Sequence, residues 1–245
     1  GKNYAAHVRE TGFRPEDRSF NLLFTKAASA LAPGRGVVQR PAGVELLDYE
    51  LELGLVIGQV LDAPLTLAPG ELHRYVAGLI IANDISARDI QVPQGQWFKG
   101  KSFRTFCPVG PYLVLLEKKD FNALTELELT LRVKGEVRQR GYVSEMIYKP
   151  HETISEISSL MTLNPGDLVL TGTPSGVAMQ VPGGWKRRLA ALFLSEPALM
   201  QRFVASQKES DRYLHDGDVI HASIRAPGAG LDLGMQELVV QAASG

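Results

Sequence analysis

The chain has 245 residues, 44% of them hydrophobic and 22% charged, which is ordinary for a globular protein with ample material for a core. With 26 Lys plus Arg against 27 Asp plus Glu, no net field recruits nucleic acid or acidic membranes, and Lys186-Arg187-Arg188 is too short a basic run to do so alone. Cys107 is the sole cysteine, which excludes an internal disulfide, and no apolar run approaches the roughly 20 residues of a membrane span.

Good helix formers follow Asn3, so the first ten residues read as a short helix with Asn3 at its N-cap. On such a turn His7 and Glu10 face the same way. They are either a surface pair or a carboxylate that fixes a histidine's tautomer and raises its basicity. Thr11–Ser19 reads as a loop, Asn21–Ala27 as a short strand carrying Lys26, and Ala32–Gly36 as a turn. Asp48–Ile57 is the clearest strand: Leu51, Leu53, Leu55 and Ile57 alternate, which sets Glu50 and Glu52 together on the opposite face. Two carboxylates about 7 Å apart on one strand face are either solvated surface or a site for a hard cation. Glu126-Leu127-Glu128-Leu129 repeats the pattern with nothing acidic downstream to complete it.

A short helix is expected near Glu71–Val76, then a buried strand over Ala77–Asn83 that delivers Asp84 and the polar run Ile85–Gln91. Gln96–Phe103 carries Lys101, and Cys107–Pro111 reads as a rigid turn. Glu126–Val133 and Glu136–Tyr142 flank Lys134-Gly135 as a hairpin, with Glu126, Glu128, Arg132 and Arg138 on its wet face. Ile154, Ile157, Leu160 and Met161 form one helical core stripe. Leu168–Thr171 is a strand, followed by the turn Gly172–Gly176, whose N–H groups and hydroxyls suit an anion. Between about Met179 and His215 two helices are expected. One bears Trp185, Leu189, Leu192 and Phe193; the other, capped by Ser195, bears Leu199, Met200, Phe203 and Val204. Strands resume over Val219–Arg225 and Leu238–Val240. His73, His151, His215 and His221 have no partner at metal-ligand spacing and read as structural or exposed.

The ordered motifs Gly-Lys-Asn-Tyr-x-x-His-x-x-Glu, Tyr-Glu-x-Glu-Leu, Asn-Asp-Ile-Ser-Ala-Arg-Asp-Ile-Gln, Gly-Lys-Ser-Phe and Thr-Gly-Thr-Pro-x-Gly-Val add up to more than their parts. Together they resemble the fumarylacetoacetate hydrolase family, and within it the small acylpyruvate hydrolase and oxaloacetate decarboxylase branch. The likeness covers nearly the whole chain except residues 179–215. It implies an α+β, predominantly β fold, a mixed-sheet β-sandwich roll. It further implies a single catalytic domain over residues 1–245, a helical insertion at about 179–215, and a homodimer. By the same resemblance Glu50, Glu52 and Asp84 are the metal carboxylates, with Mg²⁺ or Mn²⁺ as the ion. His7 and Glu10 are a catalytic dyad on a mobile lid, Lys101 is the active-site lysine, and Arg88, Gln91 and Thr173 contact the substrate.

Chemistry argues the same way. Three carboxylates about 5 Å apart at an effective dielectric near 20 repel by about 3 kcal/mol per pair, which protonation or a cation must relieve. All-oxygen donors favour a hard ion. The expected function is therefore metal-dependent hydrolysis of a C–C bond in acylpyruvate-like β-diketo acids through an enolate. The alternatives are decarboxylation of oxaloacetate-type acids and isomerisation of unsaturated 2-oxo diacids. The expected partners are a small 2-oxo acid and a second copy of the chain, with no nucleic acid and no membrane. The expected setting is cytoplasmic, although a chain that opens on Gly1 lends little weight to the lack of a visible leader.

Overall fold

Alternating aliphatic residues generate most of the secondary structure, which a computed structural model describes for residues 1–17, 20–180 and 196–243. The strands in chain order are β1 (Leu31–Pro33), β2 (Arg35–Arg40), β3 (Leu47–Asp48), β4 (Leu51–Ile57), β5 (Val76–Asn83), β6 (Ser86–Ala87) and β7 (Cys107–Val109). They continue as β8 (Val114–Leu115), β9 (Glu128–Val133), β10 (Glu136–Tyr142), β11 (Leu168–Leu170), β12 (Val219–Ala226) and β13 (Leu231–Ala242). The α-helices are α1 (Ala5–Glu10), α2 (Arg88–Gln94), α3 (Trp97–Lys101), α4 (Pro150–Leu160) and α5 (Glu196–Gln207).

Two mixed sheets carry the fold. One runs β1-β7-β5-β4-β11 with β8 also paired to β5; its β1–β7 pair is parallel and its β4–β5 and β4–β11 pairs antiparallel. The other runs β10-β9-β12-β13-β2 and is antiparallel except for β13–β2. A short β3–β6 ribbon stands beside them. Leu51, Leu53, Leu55 and Ile81 of the first sheet share one buried apolar cluster with Leu129, Leu131, Ile220, Ile224 and Leu238 of the second. The architecture is the expected α+β one, predominantly β. Among the described residues no helix is long and apolar enough to cross a membrane.

The hairpin forms as expected, with Lys134 and Gly135 both at positive φ (52° and 83°), the twist that a two-residue connection needs. Its second strand then departs from strict alternation. Val137 pairs with Arg132 but Gln139 with Leu131, so Arg138 is the extra residue of a bulge and Gln139 turns inward to 1% exposure.

Several expectations are corrected. Tyr4, not Asn3, is the N-cap of α1. Asn3 is buried, with Nδ2 donating to the carbonyls of Tyr148 and Thr171, because those tertiary partners outcompete a local cap. Asn21–Ala27 finds no ladder partner and is not a strand, whereas the turn expected over Ala32–Gly36 shrinks to a bend at Gly34 between β1 and β2. The helix near Glu71 is a 3-10 helix over Pro69–Arg74. Leu160 and Met161 sit at the end of α4, 67% and 53% exposed, so its buried stripe stops at Ile157. Of the two expected helices, α5 is present, with Phe203 and Val204 packed on the core. The one bearing Trp185, Leu189, Leu192 and Phe193, and the Ser195 cap, lie outside the described residues.

Candidate active site

Antiparallel pairing turns distant sequence into neighbours. In the β4–β5 register Leu51 faces Asn83, and just beyond it the Asp84 N–H donates to the Glu50 carbonyl at 2.8 Å. Side-chain oxygens of Glu50, Glu52 and Asp84 lie within 4.8 Å of one another. The face they share is not solvated: the three residues are 6%, 3% and 1% exposed. β4 is buried on both sides, so its alternation separates apolar from polar without separating core from water.

Cations surround this cluster. Lys101 Nζ donates to Glu50 Oε2 at 2.8 Å and to Asp84 Oδ2 at 2.6 Å. Arg88 donates to Glu50 Oε1 at 2.5 Å, to Asp48 Oδ2 at 2.8 Å and to Gln91 Oε1 at 2.8 Å. Lys26 takes the other oxygen of Asp84 at 2.5 Å and also bonds the Lys101 carbonyl. The repulsion expected among three carboxylates is thus already opposed by the protein's own cations. Lys101 reaches the cluster because α3 lies close on α2: a Cβ on Gly100 would meet Gln91 Cβ at 2.8 Å and Gln91 N at 2.9 Å.

The environments split the carboxylates. Burial alone would raise Glu50, but Lys101, Arg88 and His7 outweigh it and hold this carboxyl well below its usual range. Burial, then Asp84 and Glu50, push Glu52 up to about 8. Burial disfavours the Lys101 ammonium, yet Asp84 and Glu50 prevail and its pKa is raised, so it stays charged. Cys107 is buried and its thiol is pushed up to about 12, which removes it as a thiolate ligand or nucleophile.

The loop after β11 joins the remaining residues. His7 Nδ1 and Glu10 Oε1 are 2.6 Å apart, and Glu10 Oε2 accepts the Gly176 N–H at 2.8 Å. Glu52 Oε2 accepts the Gly172 N–H at 2.6 Å. Gln139, turned inward by the bulge, donates to Thr173 Oγ1 at 2.7 Å and to the Pro174 carbonyl at 2.8 Å while accepting the Leu51 N–H. Direct bonds therefore connect Glu50, Asp84, Lys101, Arg88 and Gln91. Glu52 shares their cluster, and His7, Glu10 and Thr173 attach through the 172–176 turn.

The N–H groups of that turn do take acidic partners, though these are the Glu10 and Glu52 carboxyl groups of the same chain. Sequence reasoning missed Lys26, Asp48 and Gln139. Lys26 had a signal, as the one cation in an apolar stretch. Asp48 accepts from Arg88 and from the N–H groups of Ala178 and Met179, and nothing local foretold that. As a donor set, three buried carboxylates whose oxygens lie within 4.8 Å of one another fit a hard divalent cation, which would share Glu50 and Asp84 with the bridging Lys101 ammonium.

Comparison with known proteins agrees with this geometry. Residues 1–240 match the family described as "Fumarylacetoacetate (FAA) hydrolase C-terminal". The chain is 39% identical over 178 residues to Oxaloacetate tautomerase YisK of Bacillus subtilis, a match covering 72% of this chain but only 58% of that protein. Among solved structures it resembles a fumarylacetoacetate hydrolase from Exiguobacterium antarcticum (33% identity, TM-score 0.71, 99% of this chain and 73% of that one). It also resembles 5-carboxymethyl-2-hydroxymuconate delta-isomerase from Mycobacterium smegmatis (28% identity, TM-score 0.72, 100% and 78%).

Proposed function

Since the chain belongs to the fumarylacetoacetate hydrolase family, we propose that it hydrolyses a C–C bond in acylpyruvate-like β-diketo acids, with residues 1–245 as one catalytic unit of a homodimer. One observation carries the reading. Glu10, which holds His7 Nδ1, accepts the Gly176 N–H of the same turn whose Gly172 N–H bonds Glu52, so the base and the buried acidic cluster that Lys101 and Arg88 bond share one turn.

Glu50, Glu52 and Asp84 would hold Mg²⁺ or Mn²⁺, which supplies Lewis-acid polarisation of the 2-oxo acid and charge compensation for an enolate. The chain's own groups do the rest. His7, oriented through Nδ1 by Glu10, takes a proton from water through its other nitrogen. The resulting hydroxide attacks the distal carbonyl, and the C–C bond breaks to give a carboxylic acid and the pyruvate enolate. Lys101 offers its ammonium to the enolate charge, and the proton held by His7 is available to C3. Arg88, held by Asp48 and Gln91, and Thr173, held by Gln139, fix the substrate's polar end.

A second reading stops earlier on the same path. Proton transfer at C3 alone gives tautomerisation, and loss of CO₂ gives decarboxylation; neither needs a nucleophilic water. The similarity to a protein named an oxaloacetate tautomerase favours it. Turnover with acylpyruvates, oxaloacetate and unsaturated 2-oxo diacids, each with Mg²⁺ and with Mn²⁺, decides between them. Acylpyruvate cleavage is expected to dominate. Enol–keto conversion of oxaloacetate without any acylpyruvate cleavage would replace the first reading by the second.

A further inference from the structure

Gly176 is gripped on both sides of its Cα. Its N–H donates to Glu10 Oε2 at 2.8 Å, while its carbonyl accepts from Arg212 at 3.0 Å and from the Tyr49 hydroxyl at 3.2 Å. Arg212 also reaches the Val177 carbonyl at 3.4 Å. Only glycine fits here: φ is +106°, and a Cβ would lie 1.9 Å from the Arg138 carbonyl. The Gly176 N–H and carbonyl belong to successive peptide planes hinged at a Cα that no Cβ stiffens, so holding the carbonyl narrows the rotation open to the N–H.

The backbone around Arg212 is well anchored. It lies beyond α5, in a stretch sewn to the site at two points. Gln207 Oε1 accepts from the Gln180 N–H at 3.2 Å and from the Tyr213 hydroxyl at 3.0 Å. On the other side the Leu214 N–H donates to the Leu47 carbonyl at 2.8 Å. A guanidinium keeps its charge at any working pH, and here one of its nitrogens, Nη2, donates to both successive carbonyls.

We infer that Arg212 is a positioning residue for the His7–Glu10 pair: it fixes Gly176, whose N–H fixes Glu10, which holds the imidazole. The inference rests on reading His7 as the base, and it gives part of the 179–215 stretch a task at the catalytic centre. The relay is three bonds long, from Arg212 to the Gly176 carbonyl, from the Gly176 N–H to Glu10, and from Glu10 to His7 Nδ1.

The test uses the full chain with ¹⁵N-labelled histidines and follows the His7 ring proton between Nδ1 and Glu10. Glu10→Gln serves as the reference loss. In Arg212→Met that proton is expected to exchange at least about tenfold faster, with kcat down about tenfold and KM within about twofold. Arg212→Lys should restore part of both. A structural brace alone would lower the melting temperature and leave the ring proton unchanged. Wild-type protection of the proton in Arg212→Met, with Glu10→Gln losing it, overturns the inference. Should Arg212→Met fail to fold, Arg212→Gln, too short to span both carbonyls, is read by the same proton with the same two outcomes. If Glu10→Gln and Arg212→Met both lose the proton and turnover stays at wild type, the positioning stands and the role of His7 as base falls.

Discussion

Asp84 is met by a different lysine on each oxygen, and Glu50 by Lys101 and Arg88, which leaves Glu52 as the carboxylate with no cationic partner among these bonds. Its pKa of about 8 has a direct consequence for ion binding. Below that pH an incoming Mg²⁺ must displace a proton, so affinity should weaken as pH falls from 8 to 6. Titration calorimetry at pH 7 in buffers of different ionisation enthalpy should count about one proton released per ion. His7→Ala separates the two functional readings. Acylpyruvate hydrolysis should fall by roughly 10² or more, the scale of a lost general base, with Mg²⁺ affinity kept. Lys101→Met should depress hydrolysis and any decarboxylation alike, since both develop the same enolate charge. Equal losses of both activities in His7→Ala would count against water activation as its particular role.

At the level of elements, α3 depends on one missing methyl group. Gly100→Ala would press a Cβ onto the Gln91 backbone, so α3 must back away and carry Lys101 with it. The expected result is a kcat loss of about tenfold or more for a melting-temperature change of only a few degrees; wild-type kcat would show that α3 does not set the lysine. Elements also mark how far the sequence could be read. β4, β5 and the β9–β10 hairpin were legible because alternation and a Lys-Gly connection are local signals. That Glu50 and Glu52 are buried was not, because a strand covered on both faces shows the same alternation as one that faces water. The inward turn of Gln139 comes from a one-residue bulge that no local pattern announces. Lys26 reads from the sequence as part of a strand, yet Asn21–Ala27 joins no ladder, and the bonds of Lys26 and Ala27 run to Asp84, to the Lys101 carbonyl and to Ser102. The motifs located the acidic cluster; the partners that hold it came from tertiary pairing.

For the molecule as a whole, Glu50 and Glu52 pull stability in opposite directions with pH. Glu52 is raised on folding, so its contribution is full below the ordinary carboxylate value of 4.5 and is lost as pH rises through about 8. Glu50 is lowered, so its contribution is present above 4.5 and fades as pH falls below that. Metal-free protein should accordingly melt lower at pH 8 than at pH 5.5, and saturating Mg²⁺ should flatten the slope by taking the place of the proton on Glu52. A melting temperature that rises over this range without metal would contradict the assignment. The proposed homodimer is checked by light scattering, with an expected mass of twice 26.7 kDa for this chain.

Lys101, Lys26 and Arg88 already pair the oxygens of Asp84 and Glu50 before any ion arrives, and the third carboxyl, Glu52, is raised far enough to keep its proton. For the proposed metal-dependent reaction an order of manufacture follows. The chain would complete its fold on internal counter-ions and wait, finished but idle, for the ion. A chelator would then silence the proposed reaction reversibly without sending the chain back through refolding, and starvation for the ion would leave an intact reserve.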